Sequence, residues 1–333
     1  MIKNLFAFLF FLLGAATAQA QYENVWAFGE STGMDFNSGI PVVITTHILG
    51  DEGTASVCDS SGQLLFYTEG SFVWDRNGNI MPNGVDLVPG ASVYLALNEY
   101  TPTSSTSQAA LIVPVIGDKN KYYIFSLTSC IVDMAPSTST LNRGQLYYSV
   151  LDMSLNNGLG DIVAGQKEIL LDTGLAESLT AVVGNRCDIW VVAATIKQNI
   201  KAWEITAAGI DTTPVLSIGI DSTIIPSFLP TGCIAISPDK KKLVATLGGF
   251  DTIAVPIHAS AAVLYDFDPA TGEVTNGLSL YPYFYDSTGI SNGYGVCFSP
   301  DNTKLYVQDI ENSGSYIRQF DLSSGDPAII PTT

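Results

Sequence analysis

At 333 residues, with 32 acidic against 14 basic side chains and a net charge of −18, the chain is long enough for one large repeat domain or two ordinary ones. The acidic excess excludes a nucleic-acid binder, which needs a basic footprint, and an anionic membrane surface would repel it. Solubility outside the cell accounts for this charge, and so would acidic loops that hold Ca2+.

The first segment reads as a leader rather than as fold. Lys3 supplies a positive charge, Leu5 to Leu13 is almost wholly apolar, and Ala18-Gln19-Ala20 is a small-x-small cleavage site. Residues 1–20 are therefore expected to be a secretory signal peptide, with Gln21 the mature N-terminus. The apolar stretch is too short to span a bilayer comfortably, and no later one is longer, so no membrane insertion is expected after cleavage. The expected location is secreted, extracellular or at the cell surface.

From there on, short apolar runs rich in Val, Ile, Tyr and Phe alternate with Gly, Asn, Asp, Ser and Pro, the pattern of strands and turns. Strands are expected at Trp26-Ala27-Phe28, Val42-Val43-Ile44, Leu64 to Tyr67, Ala110 to Val115, Tyr122 to Leu127 and Leu146 to Leu151. Further along they fall at Ile189 to Ala194, Ile200 to Ile205, Leu243 to Thr246, Ala262 to Phe267, Leu305 to Val307 and Ile317 to Leu322.

One phrase returns. Cys233-Ile234-Ala235-Ile236-Ser237-Pro238-Asp239 precedes Lys242-Leu243-Val244-Ala245, and Val296-Cys297-Phe298-Ser299-Pro300-Asp301 precedes Lys304-Leu305-Tyr306-Val307. A shorter form runs from Ala55 through Cys58-Asp59-Ser60-Ser61-Gly62 into Leu64 to Tyr67. Proline presets the turn, and Ser and Asp bond its amides. Repetition of such units predicts an all-β propeller of about six to seven four-stranded blades, a single domain over 21–333. The two Ser-Pro-Asp turns are further apart than one ordinary blade, which places a long inter-strand loop between them, with Tyr281 to Gly293 the candidate.

The five cysteines leave at least one unpaired in a monomer. Cys58, Cys233 and Cys297 are expected to be buried thiols at equivalent places, while Cys130 and Cys187 lie nearer turns. Trp26, Trp74, Trp190 and Trp203 are expected in the core between blades.

Catalytic chemistry has little to draw on. His47 and His258 are the two histidines, and neither sits in a nucleophile or zinc motif; His258 reads as a strand-end residue. Gly62, Gly84 and Gly90 belong to turns rather than to a phosphate cradle. Asp75, Asn77 and Asn79 place oxygens at alternate positions, as a calcium loop does, but without an EF-hand's glycine and distant glutamate; the other reading is a turn with no metal. Tyr281, Tyr283 and Tyr285 alternate, so one extended strand would show all three on one face, either to stack sugar rings or to pack on a neighbouring blade.

Several phrases together resemble a known family. They are Asn24-Val25-Trp26-Ala27-Phe28-Gly29, Asp51-Glu52-Gly53, Leu64 to Gly70 with Val73-Trp74-Asp75-Arg76-Asn77 and Met81-Pro82-Asn83-Gly84, and Tyr148 to Met153 with Gly158-Leu159-Gly160-Asp161. They are similar to the N-terminal WD40/YVTN-like propeller of large secreted surface proteins of Bacteroidetes-type bacteria. In that family PKD modules and a gliding-motility-associated sorting domain follow the propeller. The resemblance implies a fold incomplete at the C-terminus, or a ring closed by the strand near Trp26. Ala27 stands where the family usually has a second aromatic.

The expected function is an exported, non-catalytic recognition or adhesion scaffold whose loops meet an extracellular glycan or protein, with no required cofactor. The alternatives are a metal-dependent, lactonase-like propeller hydrolase and a fragment of a larger surface adhesin. Two or more acidic side chains converging at the channel mouth would favour the hydrolase.

Overall fold

The computed structural model describes residues 23–96, 101–130, 144–219, 231–246, 260–282, 284–286, 289–311 and 314–332. The signal peptide expected at 1–20, and His258, lie outside them. Among the described residues, six antiparallel sheets follow one another in chain order.

Sheet 1 is β1 (Val25–Ala27), β2 (Thr32–Asp35) and β3 (Val42–Thr45), and sheet 2 is β4 (Ala55–Cys58), β5 (Leu64–Thr68) and β6 (Val73–Asp75). Sheet 3 holds β7 (Ala110–Pro114), β8 (Lys121–Leu127), β9 (Leu146–Asp152), β10 (Asp161–Ile162) and β11 (Ile169–Asp172). Sheet 4 holds β12 (Leu175–Val183), β13 (Ile189–Thr195), β14 (Ile200–Thr206), β15 (Gly209–Ile210) and β16 (Val215–Ser217). Sheet 5 is β17 (Ile234–Ile236), β18 (Lys242–Thr246), β19 (Ser260–Phe267) and β20 (Val274–Pro282). Sheet 6 is β21 (Phe284–Asp286), β22 (Gly289–Phe298), β23 (Lys304–Glu311) and β24 (Gly314–Asp321). A short helix, α1 (Ala91–Ala96), lies between β6 and β7.

Strands β4, β7, β12, β17 and β22 neighbour one another in that order. They are joined side by side: Gly53 N–H donates to the Thr106 carbonyl at 3.0 Å and Gln108 N–H to the Glu177 carbonyl at 3.0 Å. A Cβ on Gly53 would lie 2.0 Å from the Ala109 nitrogen, so this approach requires glycine. Sheets radiating from such a row of inner strands make an all-β propeller.

The strand sequences explain the packing. In β13 every residue from Trp190 to Thr195 is buried, because Trp190, Val192 and Ala194 face sheet 5 while Val191 and Ala193 face sheet 3. A strand covered on both faces must be apolar throughout, which is why the run lacks alternation. Each such buried aliphatic side chain contributes about 1.5–3 kcal/mol. Trp203, Phe125 and Leu127 fill the gap between sheets 3 and 4, and Phe298, Leu305 and Phe320 that between 5 and 6.

Several expectations need correcting. The blades are not uniformly four-stranded: sheets 1 and 2 have three strands, sheets 3 and 4 five. The segment expected as a long loop after Tyr281 is largely strand, with β21 folding back on β22 as Phe284 pairs with Ser291. Trp74, Trp190 and Trp203 are buried, but Trp26 is 47% exposed. The cysteines are not equivalent. Cys58 ends β4 and is buried, Cys233 precedes β17, and Cys297 lies exposed within β22.

The two ends of the propeller differ. At one end the inner strands enter short turns, Asp59–Gln63, Ser237–Lys241 and Ser299–Thr303. In the two Ser-Pro-Asp turns the serine hydroxyl accepts the amide of Lys242 or Lys304 at 2.9 Å. Asp59 and Asp301 accept amides two residues on at 2.8 and 3.1 Å. Much of the acidic excess thus caps turns. At the other end, the loop end, the inner strands begin, and β8 and β18 leave their sheets after Leu127 and Thr246 for longer connections to β9 and β19.

Candidate functional site

At the loop end of the axis the starts of five inner strands meet, and the side chains there are polar. Glu52 precedes β4, Ser107 precedes β7, Glu177 lies in β12, Cys233 precedes β17 and Tyr294 lies in β22. Tyr294 occupies a bulge, where pairing with β23 shifts register between Gly293 and Val296. A bulge re-aims a side chain, and here it sends the phenol across the axis.

A hydrogen-bonded chain joins the two carboxylates. Tyr294 donates its phenol proton to Glu52 Oε2 at 2.8 Å. The Ser107 hydroxyl lies 2.9 Å from the Tyr294 oxygen and 3.4 Å from Glu177 Oε2. Glu177 Oε1 accepts the Ser129 hydroxyl at 2.6 Å and the Cys130 amide at 3.1 Å, and its Oε2 takes the Ser107 amide at 3.3 Å. Beside this chain, Gln108 Oε1 accepts the amides of Leu179 at 3.0 Å and Ile234 at 2.8 Å, stitching sheets 3, 4 and 5.

The electrostatics are one-sided. No lysine, arginine or histidine among the described residues bonds Glu52 or Glu177. Burial pushes the Glu177 carboxyl above the ordinary range, although its serine and amide donors pull the other way. The Cys233 thiol is driven up to about 12 by burial and then by the charges of Glu52 and Glu177, so it is no nucleophile at neutral pH. Burial also raises Tyr294, which therefore stays a proton donor. Next to the hub, in the turn after β5, Glu69 is buried and accepts the Phe72 amide at 3.1 Å. Burial lifts its carboxyl to about 8.

The residues singled out from the sequence lie elsewhere. Asp75 Oδ1 accepts the amides of Asn77 at 2.8 Å and Asn79 at 3.0 Å, capping its own turn at the end remote from the hub. Gly78, with a positive φ of 81°, completes that turn. Tyr281 lies in β20, stacked on Phe320 with ring centroids 6.0 Å apart and the Arg318 guanidinium 4.8 Å over its ring. Tyr285 lies in β21 of the next sheet, where the backbone alone is described, and Tyr283 lies outside the described residues. Tyr281 and Tyr285 thus sit on strands of two different sheets.

The hub was not legible as a site, because its members are distant in sequence; Glu52 and Tyr294 are 242 residues apart. The Asp51-Glu52-Gly53 phrase was its nearest signal. Among the described residues no group of three His, Cys, Asp or Glu side chains could hold a metal ion, and no helix is long and apolar enough to cross a membrane.

No protein-family profile matches the chain, and no curated protein matches it in sequence. Among solved structures it is similar to a candidate 6-phosphogluconolactonase from Bacteroides uniformis, at 12% identity and a TM-score of 0.40, covering 88% of this chain and 78% of that one. A protein from Lactobacillus plantarum gives 11% identity and a TM-score of 0.41, covering 89% and 77%. The β-propeller domain of Cps50 (Swd1) from Myceliophteria thermophila gives 9% identity and 0.36, covering 88% and 82%. Likenesses this distant carry no argument about function, and the fold stands on the sheet order and the inner strands.

Proposed function

We propose that this chain is an exported, non-catalytic recognition scaffold of WD40/YVTN-like type, working outside the cell or at its surface. Its loop end meets an extracellular glycan or protein. The observation that carries this reading is the asymmetry of the ends. Short turns close one end; at the other, where β8 and β18 leave their sheets for longer connections, the axis is clamped by the chain from Glu52 through Tyr294 and Ser107 to Glu177. A rigid frame that holds variable loops is how such folds recognise partners. A place within a larger surface adhesin is compatible with the same mechanism.

The second reading, a metal-dependent lactonase-like hydrolase, has one observation in its favour: Glu52 and Glu177 converge at the axial mouth. The donor set does not fit a resident metal, because both Glu177 oxygens already accept protein donors and the side chain is fully buried. Ca2+ at Asp75, Asn77 and Asn79 fits no better, since Asp75 Oδ1 already caps two amides.

Glycan-array and extracellular-matrix binding of the purified protein, beside lactone turnover with and without EDTA, separates the readings. The scaffold predicts saturable binding that EDTA leaves unchanged, and no turnover. EDTA-sensitive turnover would establish the hydrolase in its place.

A further inference from the structure

Between sheets 4 and 5, at the loop end, the packing leaves a slot. In sheet 3 the loop-end pair of β8 and β9 is Leu127 with Leu146, and with Phe125 it fills the space towards sheet 4. The corresponding pair of β13 and β14 is Ala194 with Ile200, and Ala176 of β12 and Ala245 of β18 stand beside it. Three alanines thus meet where large side chains close the neighbouring gap, with Val263 and Tyr265 as the opposite wall. The slot has about 340 Å³ of space counted out to its open mouth. Its inner end is mostly apolar and admits one group the size of a water or a methyl.

The polar lining is largely spoken for. Ser178 donates its hydroxyl to the Gly232 carbonyl at 3.1 Å, and Thr246 donates its own to the Cys233 carbonyl at 3.0 Å. Gln198 differs. It lies in the turn between β13 and β14 with φ at 61°, and its backbone N–H donates to the Thr195 carbonyl at 2.8 Å. Gly219 fixes the turn from outside: its N–H donates to Asn199 Oδ1 at 3.2 Å, and a Cβ there would lie 1.9 Å from the Gln198 carbonyl oxygen. The half-buried Gln198 side chain lines the slot, and among the described residues nothing hydrogen-bonds its amide.

We infer that this slot takes the N-acetyl group of a neutral amino-sugar glycan, its methyl set among the three alanines and its amide paired with Gln198. The inference rests on the glycan reading of the loop end and names the sugar class. Size keeps a whole ring or a branched aliphatic group out of the inner end. The apolar walls reject the ammonium of an unacetylated amino sugar, which would lose its water without gaining a partner. A net charge of −18 repels anionic glycans. An alanine methyl of a peptide is attached to its backbone directly, whereas an acetamido methyl stands off the ring at the end of an amide and so reaches into a slot entered end-on. A side-chain carboxamide matches that amide group, offering one donor and one acceptor in a plane.

The test is calorimetric titration of the purified protein with tri-N-acetylchitotriose beside cellotriose, in which hydroxyls replace the acetamido groups. Saturable binding of the first and none of the second is expected. Ala194→Leu fills the slot, and Gln198→Gly removes the amide at a backbone angle glycine accepts; each should weaken binding about tenfold or more. On the unmutated protein, saturation-transfer NMR should give the acetyl methyl the strongest signal of the sugar, a readout that needs no variant to fold. Equal binding of cellotriose, or strongest saturation elsewhere on the sugar, would overturn the inference and leave the glycan reading in place. So would binding of neither sugar while other glycans bind on an array; binding of no glycan at all would remove both. Tighter binding of an acetyl-lysine peptide would overturn it by assigning the slot to a protein partner.

Discussion

Glu177→Ala should lower the unfolding free energy by about 3–5 kcal/mol, the largest loss from any single side chain at the axis. The carboxylate accepts the Ser129 hydroxyl and the amides of Cys130 and Ser107. It gathers the segment before β7, the segment after β8 and strand β12. Truncation leaves those donors buried without an acceptor, and an unmade buried hydrogen bond costs more than a made one contributes. Ser129→Ala removes one donor and leaves the rest, so it should cost about 1 kcal/mol. Urea unfolding followed by circular dichroism measures both. Equal, small losses would mean that Glu177 does not hold the hub together.

A second large effect should appear on the alkaline side. Glu69 is lifted from its ordinary 4.5 to about 8 by burial, and no cation among the described residues bonds it. A carboxyl raised on folding binds more protons in the folded state, so its contribution is fully present below pH 4.5 and is lost as pH rises through 8. Over that window the loss is about 5 kcal/mol, as an order of magnitude. Glu69→Gln, neutral at every pH, should flatten the alkaline fall and leave stability near pH 5 almost unchanged. The turn aspartates act with the opposite sign. Hydrogen bonds from Ser61 hold Asp59 below its usual range, and those from Lys304 and Ser323 do so for Asp321. Their contribution is present above the ordinary aspartate value and is lost in acid below it. A stability profile that rises from pH 5 to 9 would contradict the assignment for Glu69.

The fold was legible because its signals are local. Ser237-Pro238-Asp239 and Ser299-Pro300-Asp301 each specify a turn by their own hydrogen bonds, and the runs around Trp190 and Leu243 specify strands by composition alone. Strand number per sheet was less legible, since β10, β15 and β16 are too short to leave a pattern. The hub was hidden for a different reason. Glu52, Ser107, Glu177 and Tyr294 come from four sheets and meet through ring geometry, which no spacing encodes. Trp26 was misplaced in the core because its composition predicts burial that the described sheets supply on one side only. The Asp75 turn shows the converse. Alternate oxygens suggest a cation, and the structure shows one of them, Asp75 Oδ1, accepting the amides of Asn77 and Asn79.

The hub depends on sheet 6 reaching sheet 2 across the axis, and a double-mutant cycle between Tyr294→Phe and Glu52→Gln tests that most directly. With the Tyr294 phenol 2.8 Å from Glu52 Oε2, the two substitutions should couple by about 1 kcal/mol, each costing less once the other is made. Additive losses would mean that the two residues do not meet, and the clamped hub would have to be abandoned.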